Sequence, residues 1–293
     1  MAETIILSGK TVSQNVYKSL QTRIDSLKFS GCTPGLAVVL VGDDPASNVY
    51  VNNKTRRFNK LGLYSETIRL PANIGKDELL SQIQDLNSDG SFHGILVQMP
   101  LPTHLNESVI IDALDPLKDV DGFHPENLGR LTAGRPRFVP CTPKGIMRIM
   151  DFYKIDLSGK HVVVLGRSNI VGRPMSILTS LKESYSNATT TICHSGTTDI
   201  PYHTQQADIL IAAIGVPEFV TSSHIKEGTV IIDVGINRVE DDSEKGYRLV
   251  GDVNFDSVNE KASAITPVPG GVGPMTIAML VENTVEAAKR SMS

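Results

Sequence analysis

The stretch "KHVVVLGRSNIVGRPMSILTSLK", residues 160–182, decides the fold. An apolar run from Val162 to Leu165 stops at Gly166, and apolar residues at helical spacing resume after Gly172. This pattern predicts a buried parallel strand, a tight turn and a helix, as at the opening of a dinucleotide-binding sheet. The usual fingerprint of that turn is G-x-G-x-x-G. Here Ser168 replaces the middle glycine, and the last glycine, Gly172, comes one residue late. The physical needs are still met: Gly166 allows the sharp turn, Ser168 is small and carries a hydroxyl, and Gly172 permits close helix–strand packing. The helix N-terminus then turns unpaired amides toward a pyrophosphate. A strand–glycine–helix turn that binds nothing has the same local pattern.

Downstream, "ATTTICHS" (188–195), "ADILIAAIGVP" (207–217) and "GTVIIDVGIN" (228–237) read as further strands. "LVGDVNF" (249–255) reads as a short strand and "PMTIAMLVENTVEAAKRS" (274–291) as a closing helix. NAD-selective sites place a carboxylate at the end of the strand after the glycine loop, to hold the ribose hydroxyls. Here that strand ends in His194 and Ser195, with no carboxylate before Asp199, while Arg167 and Arg173 sit in or beside the glycine loop. Guanidinium and hydroxyl donors suit a ribose 2′-phosphate, so NADP is the expected cofactor. The same arginines would also suit surface ion pairs.

Upstream, "VSQNVYKSLQTRIDSLK" (12–28) has helical spacing and "GLAVVLVG" (35–42) is a buried strand ending in glycine. "PASNVYVNNKTRRFNKLG" (45–62) follows as a helix, with Asp44 as N-cap, Pro45 at the first position and Gly62 at the stop. "SETIRLP" (65–71) is a strand, "KDELLSQIQDLNSD" (76–89) a helix and "HGILVQMPLP" (93–102) another buried strand. Residues 100–143 read as one long irregular region, and a loop of that length is usually functional or covers a site. Strands alternating with helices imply an α/β fold with parallel sheets and right-handed crossovers, in two units that meet near residues 140–145.

The composition fits. A chain of 293 residues suggests two domains, and 40% hydrophobic with 20% charged residues is ordinary globular content. A net charge of -4 makes nucleic acid an improbable partner. No apolar run reaches the roughly 18 residues of a membrane span. The N-terminal "MAETIILSGKTVSQ" has neither a signal core nor a transit pattern. Cys32, Cys141 and Cys193 are far apart, without the spacing of a zinc site or a disulfide framework. A cytoplasmic protein with no membrane and no nucleic-acid partner is expected.

The first unit carries candidate chemistry. At about 100° per residue, Lys54 shares a helix side with Ser47, Tyr50, Phe58 and Leu61. Desolvation on that partly apolar face would lower the lysine pKa and let a neutral amine move protons near neutral pH. The same spacing suits a lysine snorkelling at the edge of a core face. Tyr-x-x-x-Lys also resembles the catalytic pair of short-chain dehydrogenases, but there the glycine loop comes first and in the same domain; here the pair comes first, in the other unit. Gln98 ends a strand, where ligand-facing side chains of parallel sheets sit, and an amide can orient an amine without clamping its proton. Asp119 and Asp121 flank Val120 before the turn at Gly122. One such carboxylate can accept two hydrogen bonds from an aminopyrimidine-like ring; further oxygen ligands for a metal are missing, and plain turn chemistry fits as well. "TPVPGGVGPMT" (266–276) is a rigid turn before a helix, suited to close backbone approach to a ligand or simply to joining two elements.

Together these segments resemble the bifunctional methylenetetrahydrofolate dehydrogenase/cyclohydrolase family. The match runs in order through "SNVYVNNK", "GILVQMPLP", "KDVDGFHPENLGRL", "FVPCTPKGI", "VVVLGRSNIVGRP", "CHSGTT", "ADILIAAIG", "IIDVGIN", "GDVNF" and "TPVPGGVGPMT". The resemblance implies a folate-binding catalytic domain of residues 1–142 plus 272–293 and a Rossmann-like NADP-binding domain of residues 143–271, separated by a cleft. It implies no metal, a homodimer formed through the NADP domains, and a C-terminal helix packed on the first domain. By the same resemblance Lys54 is the main catalytic group, Tyr50 and Gln98 position the substrate and tune the lysine, and Asp121 holds the pterin ring. Gly270, Gly271 and Pro274 would line the folate site. Gly166, Arg167, Ser168, Gly172, His194, Ser195 and Ile236 would bind NADP. Many relatives carry a basic residue after the His-Ser pair; this chain has Gly196, which lessens the NADP preference without reversing it. The implied activity is oxidation of 5,10-methylenetetrahydrofolate to the methenyl form, then hydrolysis to 10-formyltetrahydrofolate. A different two-domain NADP dehydrogenase acting on a shikimate-like hydroxyl, and a non-enzymatic NADP-sensing protein, are the competing readings.

Overall fold

The structure, a computed structural model, describes residues 3–242 and 246–292. Packing divides the chain into two units, Met1–Asn15 with Thr142–Thr276 and Val16–Cys141 with Ile277–Ser293. The division differs from the expected one at both ends. The start of the chain joins the dinucleotide-type unit because strand β1 (Ile5–Ile6) pairs in parallel with Ala264 and Ile265. Two apolar residues are too short a run to read as a strand. At the other end, the divide falls after Thr276, inside the last helix.

Helix α1 (Gly9–Phe29) leads into the unit built on β2 (Gly35–Val41), α2 (Pro45–Lys60), β3 (Tyr64–Leu70), α3 (Lys76–Ser88) and β4 (Gly94–Val97). The strand order is β3-β2-β4, and both pairings are parallel. The unbroken apolar run of β2 is buried along its whole length because the strand is central, with layers on both faces. Helix α2 starts where its local chemistry dictates. The Asp44 carboxylate accepts from the Ser47 amide at 2.7 Å, and Pro45 occupies the first turn.

Residues 100–143 are less irregular than expected. They hold α4 (Glu107–Asp112) and α5 (Pro125–Thr132), and α6 (Cys141–Phe152) begins within them. The Asn106 side chain caps α4, and the His124 ring accepts from the Glu126 amide at the start of α5. Helices of six and eight residues are too short to declare a periodicity and depend on such caps.

The other unit contains β5 (His161–Leu165), α7 (Gly172–Ser180), β6 (Thr189–Cys193), α8 (Ile200–Thr204), β7 (Ile209–Ala212), β8 (Val230–Asp233), β9 (Asn237–Glu240), β10 (Tyr247–Val250), α9 (Phe255–Val258) and β11 (Ala264–Ile265). Its parallel sheet has the order β1-β11-β8-β7-β5-β6. The chain goes from β5 outward to β6 and then returns to the other side of β5 for β7, which makes a topological switch point between β5 and β7. Ligands of doubly wound sheets bind at the carboxyl ends of the strands there. Strands β9 and β10 form a separate antiparallel ribbon, and α10 (Val272–Ser291) closes the chain.

Removal of the α2 cap is expected to be measurable without touching the core. Asp44→Ala should lower stability by about 1 kcal/mol, seen as a lower urea midpoint with an unchanged slope.

Candidate active site

Helix α2 buries the face formed by Ser47, Val51, Lys54 and Phe58. Lys54 is 6% exposed, so it is a core residue and not a snorkelling one. Its Nζ donates to Gln98 Oε1 at 3.0 Å. Gln98 is well placed to receive it: its backbone amide continues the sheet by donating to the Val39 carbonyl at 2.9 Å, and its Nε2 donates to the Met99 carbonyl at 2.8 Å. The second bond leaves Oε1 turned toward the amine. Burial pushes the Lys54 pKa below the ordinary lysine range, opposed by the nearby Asp121 carboxyl and, less, by Cys141.

Asp121 shows the complementary shift. Burial raises its carboxyl above the usual range, while Lys54 and a hydrogen bond from the Cys141 thiol pull it back. A small hollow lined by Ile95, Val97, Met99, Leu114 and Phe123 adjoins Asp119 and Asp121 and supplies the apolar surroundings. Lys54 and Asp121 are thus both driven toward their neutral forms, a poise suited to proton exchange near neutral pH. Tyr50 is half-buried, and burial raises its phenol pKa. Its hydroxyl makes no hydrogen bond to Lys54 or to any other described residue, so within this unit it is available to a substrate.

The two aspartates do different work. Asp119 is 1% exposed, and its carboxylate accepts from the amides of Gly122, Phe123 and His124 and from Asn127 Nδ2, at 2.8–3.2 Å. With that set filled it ties the 119–127 loop. Asp121 is left facing the amine. The loop is fastened from behind by Asn283 of α10, whose Nδ2 donates to the Val120 carbonyl at 2.8 Å and to the Val139 carbonyl at 3.1 Å. Among the described residues no group of three or more His, Cys, Asp or Glu side chains could hold a metal ion.

In the other unit, Gly166 has φ +131°, and a Cβ there would lie 2.2 Å from the Ala213 carbonyl oxygen. At Gly172 a Cβ would meet the Gly166 carbonyl at 2.2 Å. Only glycine fits either position. Ser168 Oγ accepts from the Val171 and Gly172 amides at 3.2 and 3.4 Å, capping α7. The exposed amides of Arg167, Ser168, Asn169 and Ile170 donate to no described residue, which leaves them for an anion. Arg167 Nη1 lies 3.4 Å from His194 Nε2, while Ser195 is exposed beside them. Gly196 donates its amide to His194 Nδ1 at 3.1 Å and so holds the ring. Arg173 instead reaches back to Asn169 at 2.8 Å. Ile236 is 41% exposed beyond β8. The donors and the glycine cradle fit a dinucleotide pyrophosphate with a phosphorylated ribose. The Gly270–Pro274 turn lies in this same unit: Gly270 has φ +109°, its carbonyl accepts from the Lys10 amide, and Gly9 packs so closely on Gly271 that a Cβ would lie 1.8 Å from its oxygen.

Comparison with known proteins places the chain in a family. Residues 7–121 match the catalytic-domain model of tetrahydrofolate dehydrogenase/cyclohydrolase, and residues 140–292 match that family's NAD(P)-binding domain. The chain belongs to the tetrahydrofolate dehydrogenase/cyclohydrolase family. It is 54% identical to the bifunctional protein FolD of Prosthecochloris aestuarii, over 98% of this chain and 99% of that one. The crystal structure of the Campylobacter jejuni bifunctional enzyme FolD superposes with a TM-score of 0.92 at 47% identity, covering 98% of this chain and 99% of that one. The Trypanosoma brucei methylenetetrahydrofolate dehydrogenase-cyclohydrolase, solved with NADP cofactor and inhibitor, gives 0.93 at 37% identity, covering 100% and 99%. By contrast, Aquifex aeolicus shikimate dehydrogenase is 14% identical over 89% of this chain and 97% of that one, with a TM-score of 0.52, and shares only the fold.

Within this family framework the structure adds Cys141 and Asn283 to the catalytic unit's site. Cys141 is 1% exposed, with its thiol 3.4 Å from the Val120 carbonyl and hydrogen-bonded to Asp121. Its stretch "FVPCTPKGI" stands out in the sequence, yet nothing in the spacing ties it to a lysine far upstream. The two aspartates should separate experimentally. Asp119→Ala removes four hydrogen bonds and should cost about 3 kcal/mol or more, whereas Asp121→Asn should leave stability equal or higher; thermal unfolding of both variants measures the contrast.

Proposed function

We propose that this chain oxidises 5,10-methylenetetrahydrofolate with NADP to 5,10-methenyltetrahydrofolate and then hydrolyses that cation to 10-formyltetrahydrofolate. The observation that carries the reading is the buried Lys54 amine, 3.0 Å from Gln98 Oε1, with the Asp121 carboxyl near it. NADP, when bound, supplies the hydride acceptor. The glycine cradle and the free amides of residues 167–170 would hold its pyrophosphate, with Arg167, Ser168 and Ser195 toward the 2′-phosphate and His194 and Ile236 beside it. The oxidation needs mainly positioning, because hydride departure leaves a cation stabilised by two nitrogens. Tyr50, Gln98 and Asp121 would orient the folate, Asp121 on the pterin ring, with Gly270, Gly271 and Pro274 giving it backbone contacts.

The hydrolytic step needs proton transfer. Lys54, its pKa lowered by burial, takes a proton from the attacking water as its oxygen bonds to the methenyl carbon. The ammonium so formed then protonates the departing ring nitrogen as the carbon–nitrogen bond breaks, and the hydroxyl on the former methenyl carbon releases its remaining proton to solvent as the formyl C=O forms. Gln98 keeps the amine aimed without holding its proton. In this reading the catalytic domain is residues 1–142 plus 272–293 and the cofactor domain residues 143–271, although the first fifteen residues pack with the latter. The chain would work as a cytoplasmic homodimer, built through the cofactor domains, that supplies one-carbon units for purine biosynthesis. No described helix is long and apolar enough to cross a membrane.

Lys54→Met should reduce cyclohydrolase turnover by about 100-fold or more; full activity in that variant would sink the lysine assignment. A spectrophotometric assay of methenyltetrahydrofolate formation should show clear preference for NADP, and comparable turnover with NAD would refute the cofactor assignment. Cyclohydrolase kcat/KM should rise with pH as Lys54 loses its proton. Asp121 favours the charged lysine, so Asp121→Asn should lower the Lys54 pKa further and move this limb to lower pH, and a limb that moved upward would contradict the pairing.

A further inference from the structure

Two stretches, "IIDVGIN" (231–237), of which only Ile236 is assigned to the cofactor, and "GDVNF" (251–255), meet in the structure through a pair of buried carboxyls. Asp233 and Asp252 are 4% and 0% exposed. Asp233, at the end of β8, accepts from the amides of Gly235, Asp252 and Val253 at 2.9–3.1 Å. Asp252 passes the constraint on. Its Oδ2 accepts from the amides of Ile214 and Gly215 at 2.7 and 2.9 Å, and its Oδ1 accepts from Asn237 Nδ2 at 2.9 Å. The glycines in these motifs make room for the carboxyls: a Cβ at Gly251 would lie 1.7 Å from Asp233 Oδ2, and one at Gly235 would lie 2.2 Å from Asp252 Oδ1.

What Asp252 holds is the carboxyl edge of the sheet. Ile214 and Gly215 form the turn after β7, the strand next to β5 and its Gly166 loop. Asn237 directly follows Ile236, whose side chain is 41% exposed on the turn after β8. Ile236 is only partly held by its own packing, its Cδ1 lying 3.3 Å from where a Cβ at Gly273 would sit. Two turns from different strands are instead tied to one buried carboxylate.

We propose that Asp252 is a positioning residue of the dinucleotide site, which holds the turns after β7 and β8 in register while Asp233 anchors its backbone. This rests on the assignment of Ile236 to the cofactor. A misplacement of about 1 Å in such a site is enough to cost about 100-fold, so the tie acts on cofactor affinity and on hydride transfer. The hydrolytic step uses no hydride acceptor and does not depend on it.

The test exchanges the two partners. Asn237→Asp alone sets one carboxylate against another and should raise both the KM for NADP and the Kd for NADPH, read by its fluorescence, by about tenfold or more. The KM for the folate and the cofactor-free cyclohydrolase rate should hold within about twofold. Adding Asp252→Asn restores the bond with donor and acceptor reversed, and affinity should return to within about threefold of the original. That recovery, with the new carboxylate still at position 237, separates lost positioning from simple repulsion of an anionic cofactor. Unchanged NADPH affinity in Asn237→Asp, a parallel fall in cyclohydrolase rate, or a double variant no better than the single one would overturn the proposal. Should the double variant fail to fold, Asn237→Ala, which leaves Asp252 with its two amides, should still weaken NADPH by about threefold, and wild-type affinity in that variant would overturn it too. Failure of the unaltered chain to bind NADPH would instead overturn the cofactor assignment itself.

Discussion

An ammonium group taken out of water without an anion in contact is costly, and burial of Lys54 on the core face of α2 sets the terms for everything around it. The cost is met partly by a shifted protonation equilibrium and partly by Gln98, a neutral acceptor delivered by the end of β4. An acidic residue in place of Gln98 would pair with the amine and hold its proton. The amide accepts one hydrogen bond and leaves the proton mobile. Asp121 then acts as a second, weaker lever, close enough to bias the lysine while itself pushed toward neutrality.

Such a pair needs a stiff frame, and both units obtain one by the same means, buried side chains filled with main-chain partners. Asp119 gathers three amides and Asn127, and Asn283 gathers two carbonyls. Asp233 and Asp252 do the equivalent in the dinucleotide unit. Each satisfies backbone groups that irregular chain would otherwise leave unpaired. The loops that carry chemistry are therefore irregular in shape and still rigid.

How much of this was legible in the sequence depended on range. The α2 helix with its Asp44 cap, the apolar strands β2, β5, β7 and β8, and the Gly166–Gly172 turn were readable because local chemistry determines each of them. Strand β1 and helices α4 and α5 were not: two apolar residues or one or two helical turns carry no period. The Tyr50–Lys54 spacing allowed a snorkelling lysine, and only the packing of α2 on β2 and β3 made it a buried one. Asp119 and Asp121 are indistinguishable in "DVDG", because which carboxylate is saturated depends on the direction each points across Val120. Asn283 enters from the far end of the chain, where nothing local marks it.

The departure of the phosphate loop from its usual fingerprint has a consequence for binding cost. With glycine at position 168, the Val171 and Gly172 amides would lack the serine hydroxyl as a partner. Ser168 satisfies the Val171 and Gly172 amides itself and leaves the four upstream amides exposed. The chain has given up two anion donors and gained a turn whose conformational entropy is already spent. Association is then expected to be limited by encounter and not by loop ordering.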